Sequence, residues 1–133
     1  MLFRSVFVSS ESALNIPKEM IHYGMTKTAQ LSIMRGMAME LAGSGVTVNA
    51  LLPGPTHTEN TDRLRAERAR AQGISLAEIE AGFFRDFRPT SLLKRFTSAD
   101  EVANLGVYLC SEAASGTSGA AMRVDGGVVN QIM

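Results

Sequence analysis

Two spacings of apolar and polar positions alternate along this chain, and the switches between them divide it into segments. Residues 2–9 form a short run rich in Val and Phe that ends in Ser-Ser, which predicts a strand. Asn15-Ile16-Pro17 then marks a loop. From about residue 19 to 42 Met, Ala, Leu and Ile recur without a proline, predicting one long helix that Gly43-Ser44-Gly45 stops. Residues 46–52 read as a buried strand, halted by Pro53-Gly54-Pro55. A Thr-rich stretch leads into a basic helical segment over 61–72. Ser75 to Glu78 and Ser98 to Glu101 each carry the Ser-x-x-Glu pattern in which hydroxyl and carboxylate satisfy free amides at a helix start. The two helices they open are expected to reach about Phe87 and Ala113. A last short strand spans 120–124.

Strand, helix, strand, helices, strand is the order of an α/β protein with a parallel sheet covered by helices. No repeat, low-complexity tract or linker interrupts it, so residues 1–133 are read as a single domain or part of one. Composition narrows the partners. Thirteen basic residues balance thirteen acidic ones, which gives no support for nucleic acid or an anionic membrane surface. No apolar run approaches the ~18 residues of a membrane span. One cysteine forms no internal disulfide, so a cytoplasmic protein is the default expectation. Cys110 itself, in an apolar stretch, is expected to be a small buried hydrophobe. The Met residues at 20, 25, 34, 37 and 39 are expected to pack the long helix, and the Arg-rich run 63–70 to be a solvated face. Two histidines and one cysteine at no ligating spacing argue against a metal site.

The candidate chemistry sits on the long helix. Tyr23 and Lys27 lie four residues apart, hence one above the other on one helical face. A fixed ammonium favours a neighbouring phenolate and so moves a phenol toward acid/base work. Ser10, at the C-terminal end of the first strand, opens onto the edge of a parallel sheet where ligands bind. Taken alone, Tyr and Lys at this spacing are more simply a packed ring and a solvated amine. The wider arrangement reverses that reading: Val8-Ser9-Ser10, then Tyr23 and Lys27, then Asn49-Ala-Leu-Leu-Pro-Gly, and finally Gly119 to Gly127 with its Asp-Gly-Gly.

That constellation resembles the short-chain dehydrogenase/reductase family over essentially the whole chain. The resemblance implies the C-terminal portion of a doubly wound, Rossmann-type parallel sheet. It implies that Tyr23 is a general acid/base, that Ser10 bonds the substrate oxygen, and that Lys27 assists Tyr23 and binds nicotinamide ribose. Pro53-Gly54-Pro55-Thr56-His57-Thr58 matches the family's Pro-Gly-x-x-x-Thr turn. Tyr23, Lys27, Pro53, Gly54, Pro55, Thr56 and Thr58 are thus expected to contact NAD or NADP, with Thr58 on the carboxamide or a phosphate oxygen. The substrate is expected to be a small-molecule carbonyl or alcohol chosen by residues 57–95, where Phe83, Phe84 and Phe87 line a pocket or, more simply, pack. His57 is expected to be a solvated loop residue.

The resemblance also marks absences. No Gly-rich turn precedes Ser10, and the Asn that completes the family's catalytic set has no counterpart. A truncated product or an incomplete sequence, inactive alone, is therefore the expectation, with a bare apolar edge on the first strand. The family commonly forms dimers or tetramers through its long helix and its last helix and strand, here 19–42 and 98–124. A homo-oligomer is expected in the intact protein, and a non-catalytic assembly fragment is the competing reading. Hydrolysis through Ser10 is remote, because no Gly-x-Ser-x-Gly elbow surrounds it.

Overall fold

In the computed structural model, which describes residues 3–132, three parallel strands lie in the order β1-β2-β3. They are β1 (Arg4–Val8), β2 (Thr47–Pro53) and β3 (Ala121–Val124). Arg4 pairs with Thr47 and Val8 with Leu51, while Ala50 pairs with Ala121 and Pro53 with Val124. Position 2, where the sequence begins its first strand, lies outside the described residues. Among the described residues β1 pairs on one side only, as expected, and Phe3 and Val8 at its ends are exposed.

Four helices connect and cover the strands: α1 (Ile21–Glu40), α2 (Glu59–Gln72), α3 (Leu76–Asp86) and α4 (Ala99–Cys110). β2 is central and buried along six of its seven residues, so its alternate side chains must satisfy two faces. Val48, Ala50 and Leu52 meet Met34 of α1, with Phe7, Leu31 and Leu41 packed around them. On the opposite face Leu51 approaches α4 at Gly106. Asn49, fully buried there, is satisfied twice: its amide donates to the Thr117 carbonyl at 2.8 Å and its oxygen accepts from Ala120 N–H at 3.1 Å. One side chain thereby holds the turn that aligns β3.

Both Ser-x-x-Glu caps form as read, and Thr58 makes a third with Thr61. Several expectations are corrected. Of the five methionines assigned to packing only Met34 is buried, because α1 covers the sheet with one face and leaves Met25 and Met39 outward. α4 stops at Cys110 rather than near Ala113. The Ser111 backbone turns extended, and a separate 3-10 turn, Glu112–Ala114, follows. Cys110 is exposed, since the α4 position that faces the sheet there is Leu109. The basic run is not uniformly solvated either: the Arg65 guanidinium lies 3.9 Å from the Phe96 ring centroid and bonds Asp62.

Candidate active site

The parallel strands of this sheet end at one edge, and the chain leaves β1 there through Ser9 and Ser10 into a 3-10 turn, Glu11–Ala13. Ser10 caps that turn: its Oγ accepts the Ser12 N–H at 3.1 Å. With a lone pair so occupied, the hydroxyl proton is left to be donated elsewhere. Ser9 Oγ donates to the Lys27 carbonyl at 2.9 Å and Thr28 Oγ1 to the Ala13 carbonyl at 2.8 Å, so α1 is tied to the strand end on both sides of the turn. The approach is close because position 24 has no side chain. A Cβ on Gly24 would stand 2.9 Å from Ile16 Cγ2 and 3.1 Å from the Ser12 carbonyl oxygen.

Tyr23 and Lys27 share one face of α1, with the ammonium 5.5 Å from the ring centroid. Lys27 Nζ donates to the Val8 carbonyl at 3.3 Å, one of three donors it carries. β2 ends opposite, at Pro53-Gly54-Pro55. Gly54 is packed against backbone, and a Cβ there would lie 2.6 Å from Asp125 Cα. The lack of a side chain at position 54 is therefore already required by the Asp-Gly-Gly tail. Asp125 is fixed in turn, its carboxylate accepting the Gly127 and Val129 amides at 3.0 Å each.

These elements enclose an open cleft of about 520 Å³ lined by Ser10, Tyr23, Lys27, Pro53, Gly54, Pro55 and Thr56. Six of the seven predicted cofactor contacts thus meet around one space, and Ser10, the remaining catalytic candidate, joins them. Thr58 does not line it: its hydroxyl caps α2, accepting the Thr61 amide at 3.2 Å, and Thr61 lines the cleft instead. His57 is half exposed on the far side, its Nδ1 3.1 Å from Asp62. Phe83 lines the cleft while Phe84 packs beneath it, in ring contact with Phe83 and Phe96.

Sequence reasoning missed a charged cluster on the cleft wall. Arg88 Nε donates to Glu11 Oε1 at 2.8 Å and its Nη1 to Glu19 Oε1 at 3.2 Å. The Arg88 and Glu11 side chains are 6% and 4% exposed. Burial pushes the Glu11 carboxyl above its ordinary range, and Arg88 opposes that push. Glu19 is held below its ordinary range, first by its own backbone amide and then by Arg88. The available signal was an arginine between Phe87 and Pro89, in an aromatic stretch that also holds Arg85.

A family described as Enoyl-(Acyl carrier protein) reductase matches residues 4–129. The uncharacterized oxidoreductase YvrD of Bacillus subtilis (strain 168) is 42% identical over 129 residues, 97% of this chain and 49% of that protein. L-sorbose reductase from Gluconobacter frateurii, solved with NADPH and L-sorbose, superposes with a TM-score of 0.86 at 27% identity, covering 96% of this chain and 47% of that one. A short chain dehydrogenase family protein from Francisella tularensis superposes at 0.80 with 26% identity, over 95% of this chain and 50% of its own. The chain spans about half the length of the proteins it matches. The matched stretches take in the strand ends, the Tyr23–Lys27 helix and the Asp125 tail alike, and on that footing the chain belongs to the short-chain dehydrogenase/reductase family.

Proposed function

We propose that the protein bearing this chain interconverts a carbonyl and a hydroxyl group on a small molecule with NAD or NADP, using Tyr23 as general acid/base. The observation that carries the reading is the convergence of Ser10, Tyr23 and Lys27 on one cleft at the sheet edge. Ser10 donates its free hydroxyl proton to the substrate oxygen and so polarises the carbonyl or orients the alcohol. Tyr23 holds a proton at Oη and gives it to that oxygen in reduction, or removes it in oxidation. Lys27 stabilises the phenolate that remains. Donors fixed in place before the reaction need no reorganisation as charge develops on that oxygen.

The donor set suits a nicotinamide nucleotide. The two Lys27 N–H groups not engaged with Val8 can hold ribose hydroxyls, and the Pro53-Gly54-Pro55 backbone with Thr56 offers a flat wall for the ring, flanked at Thr58 by the N-terminus of α2. When bound, that cofactor supplies or accepts the hydride. The G. frateurii relative, which holds NADPH, supports the phosphorylated form as the first to test. No Gly-rich strand–turn–helix for a pyrophosphate occurs in these residues, so the chain by itself is expected to bind the nucleotide weakly.

A homo-oligomer belongs to the same reading. Ile21, Met25 and Ile33 are 65%, 64% and 55% exposed at helical spacing on α1, an apolar stripe suited to a second copy of the chain. No described helix is long and apolar enough to cross a membrane, and the cytoplasm is the proposed location. The test is Tyr23→Phe in the holoenzyme, with NADPH oxidation followed against a panel of ketones and keto-sugars. Turnover should fall by about 10²-fold or more. An unchanged rate would remove Tyr23 from the chemistry and the reading with it.

A further inference from the structure

We infer that Arg88 is a positioning residue for Ser10, acting through Glu11 and Ser12. The path is continuous. Arg88 Nε donates to Glu11 Oε1 at 2.8 Å, and the Ser12 hydroxyl donates to the same oxygen at 3.2 Å. The Ser12 amide then donates to Ser10 Oγ at 3.1 Å. Glu11 and Ser12 are 3% and 2% exposed, so no water competes for these bonds. The second arm of the guanidinium reaches Glu19, in the loop that leads into the helix bearing Tyr23.

A buried ion pair is a costly way to stabilise a fold, because desolvating two charges offsets most of their attraction. Its fixed fork geometry is what an apolar pair of equal volume would lack. Here the guanidinium joins residues 77 positions apart through one bond to Glu11 while a second nitrogen reaches Glu19, both on the wall of the cleft. Arg88 also closes the α2–α3 segment against the strand end: it follows Phe87, and its guanidinium lies 5.9 Å from the Phe83 ring centroid. Arg88 touches no reacting atom itself; its effect passes through the orientation of Ser10.

The first arm of the test needs no turnover. Amide exchange of Ser12 in the chain is expected to quicken about tenfold in Arg88→Met, with β2 amides unchanged as the folding control. Should Arg88→Met unfold the chain, Arg88→Lys carries the test, since it keeps the charge and loses the fork. Faster Ser12 exchange beside an unchanged β2 supports the inference, and parental Ser12 exchange overturns it. The second arm rests on the oxidoreductase reading. In the holoenzyme Arg88→Met should lower kcat by about tenfold with a smaller effect on KM, and should lower it no further in a Ser10→Ala background. Equal losses in both backgrounds would show that Arg88 does not act through Ser10. Retained turnover in Tyr23→Phe would remove the enzymatic reading while leaving the exchange result standing.

Discussion

Replacing Gly54 by alanine tests the packing that brings the cleft wall against the C-terminal tail. The added Cβ would stand 2.6 Å from Asp125 Cα, 2.8 Å from its carbonyl oxygen and 2.9 Å from its carbonyl carbon. Carbon atoms in contact rest about 3.5–4.0 Å apart, so the overlap is roughly 1 Å. No side chain can swing aside to relieve it. The obstructing atoms are backbone, pinned by the Asp125 carboxylate to two amides and by the Gly54 N–H to the Val124 carbonyl at 2.9 Å. Gly54 is absent from the positive-φ positions, so the penalty is steric and not dihedral. Overpacking costs about 1–3 kcal/mol, and backbone against backbone places this site at the upper end. With a urea m-value of about 1.5 kcal/mol/M, the unfolding midpoint should fall by about 2 M. Gly82→Ala is the control. It lies inside α3, where its Cβ would meet only Arg85 Nη2 at 3.7 Å. There the same substitution should stabilise by about 0.5–1 kcal/mol, a midpoint rise of roughly half a molar. A Gly54→Ala midpoint equal to the parent, at unchanged m, would refute the reasoning.

Three further outcomes are expected. Glu101 is drawn down to about 2 from an ordinary 4.5, first by its hydrogen bonds from Arg95 and then by the Ser98 amide. A depressed carboxylate stabilises the fold above its unfolded value and loses that contribution as pH falls from 4.5 towards about 2. Glu101→Gln should flatten the acid limb of urea midpoints in that window, and an identical limb would discount the pair. Met25→Glu with Ile33→Glu should convert the oligomer to monomer in sedimentation velocity, whereas an unchanged distribution would move the interface off α1. Cys110 should react with a thiol reagent in the native protein as fast as in urea; labelling that requires denaturant would contradict its exposure.

Much of the framework was legible because periodicity and capping are local. β2 read as buried, Ser75 and Ser98 announced α3 and α4, and Gly43 to Gly45 stopped α1 within two residues of the observed end. Two of the errors share one cause. Apolar character was taken as burial, yet α1 meets the sheet along a single face, so Met25 and Met39 point away from it. Cys110 fell on the outer side of α4 for the same reason. The Arg88–Glu11 pair lay beyond reach, since a bond between residues 77 positions apart leaves no local pattern. Thr58 shows a different difficulty. A hydroxyl in a motif serves a helix cap as readily as a ligand, and only the geometry around Thr61 separates the two.

Residues 58–95 form an excursion that opens after His57 and closes before Phe96, and its two ends are held together by the Thr56–Thr97 bridge. His57 N–H meets the Thr97 carbonyl at 2.8 Å and Thr97 N–H the Pro55 carbonyl at 2.9 Å. A segment whose ends stand side by side can change length at little entropic cost, because the closing distance does not depend on what lies between. Such a change is free only up to about Phe87, because beyond it Arg88 bonds Glu11 and Glu19 and the Leu92 and Leu93 amides donate to the Gly126 carbonyl at 2.8 and 3.1 Å. The part of the stretch before Arg88 is therefore a cassette, expected to tolerate a change of length, whereas Arg88 and its carboxylate partner Glu11 must be kept as a pair.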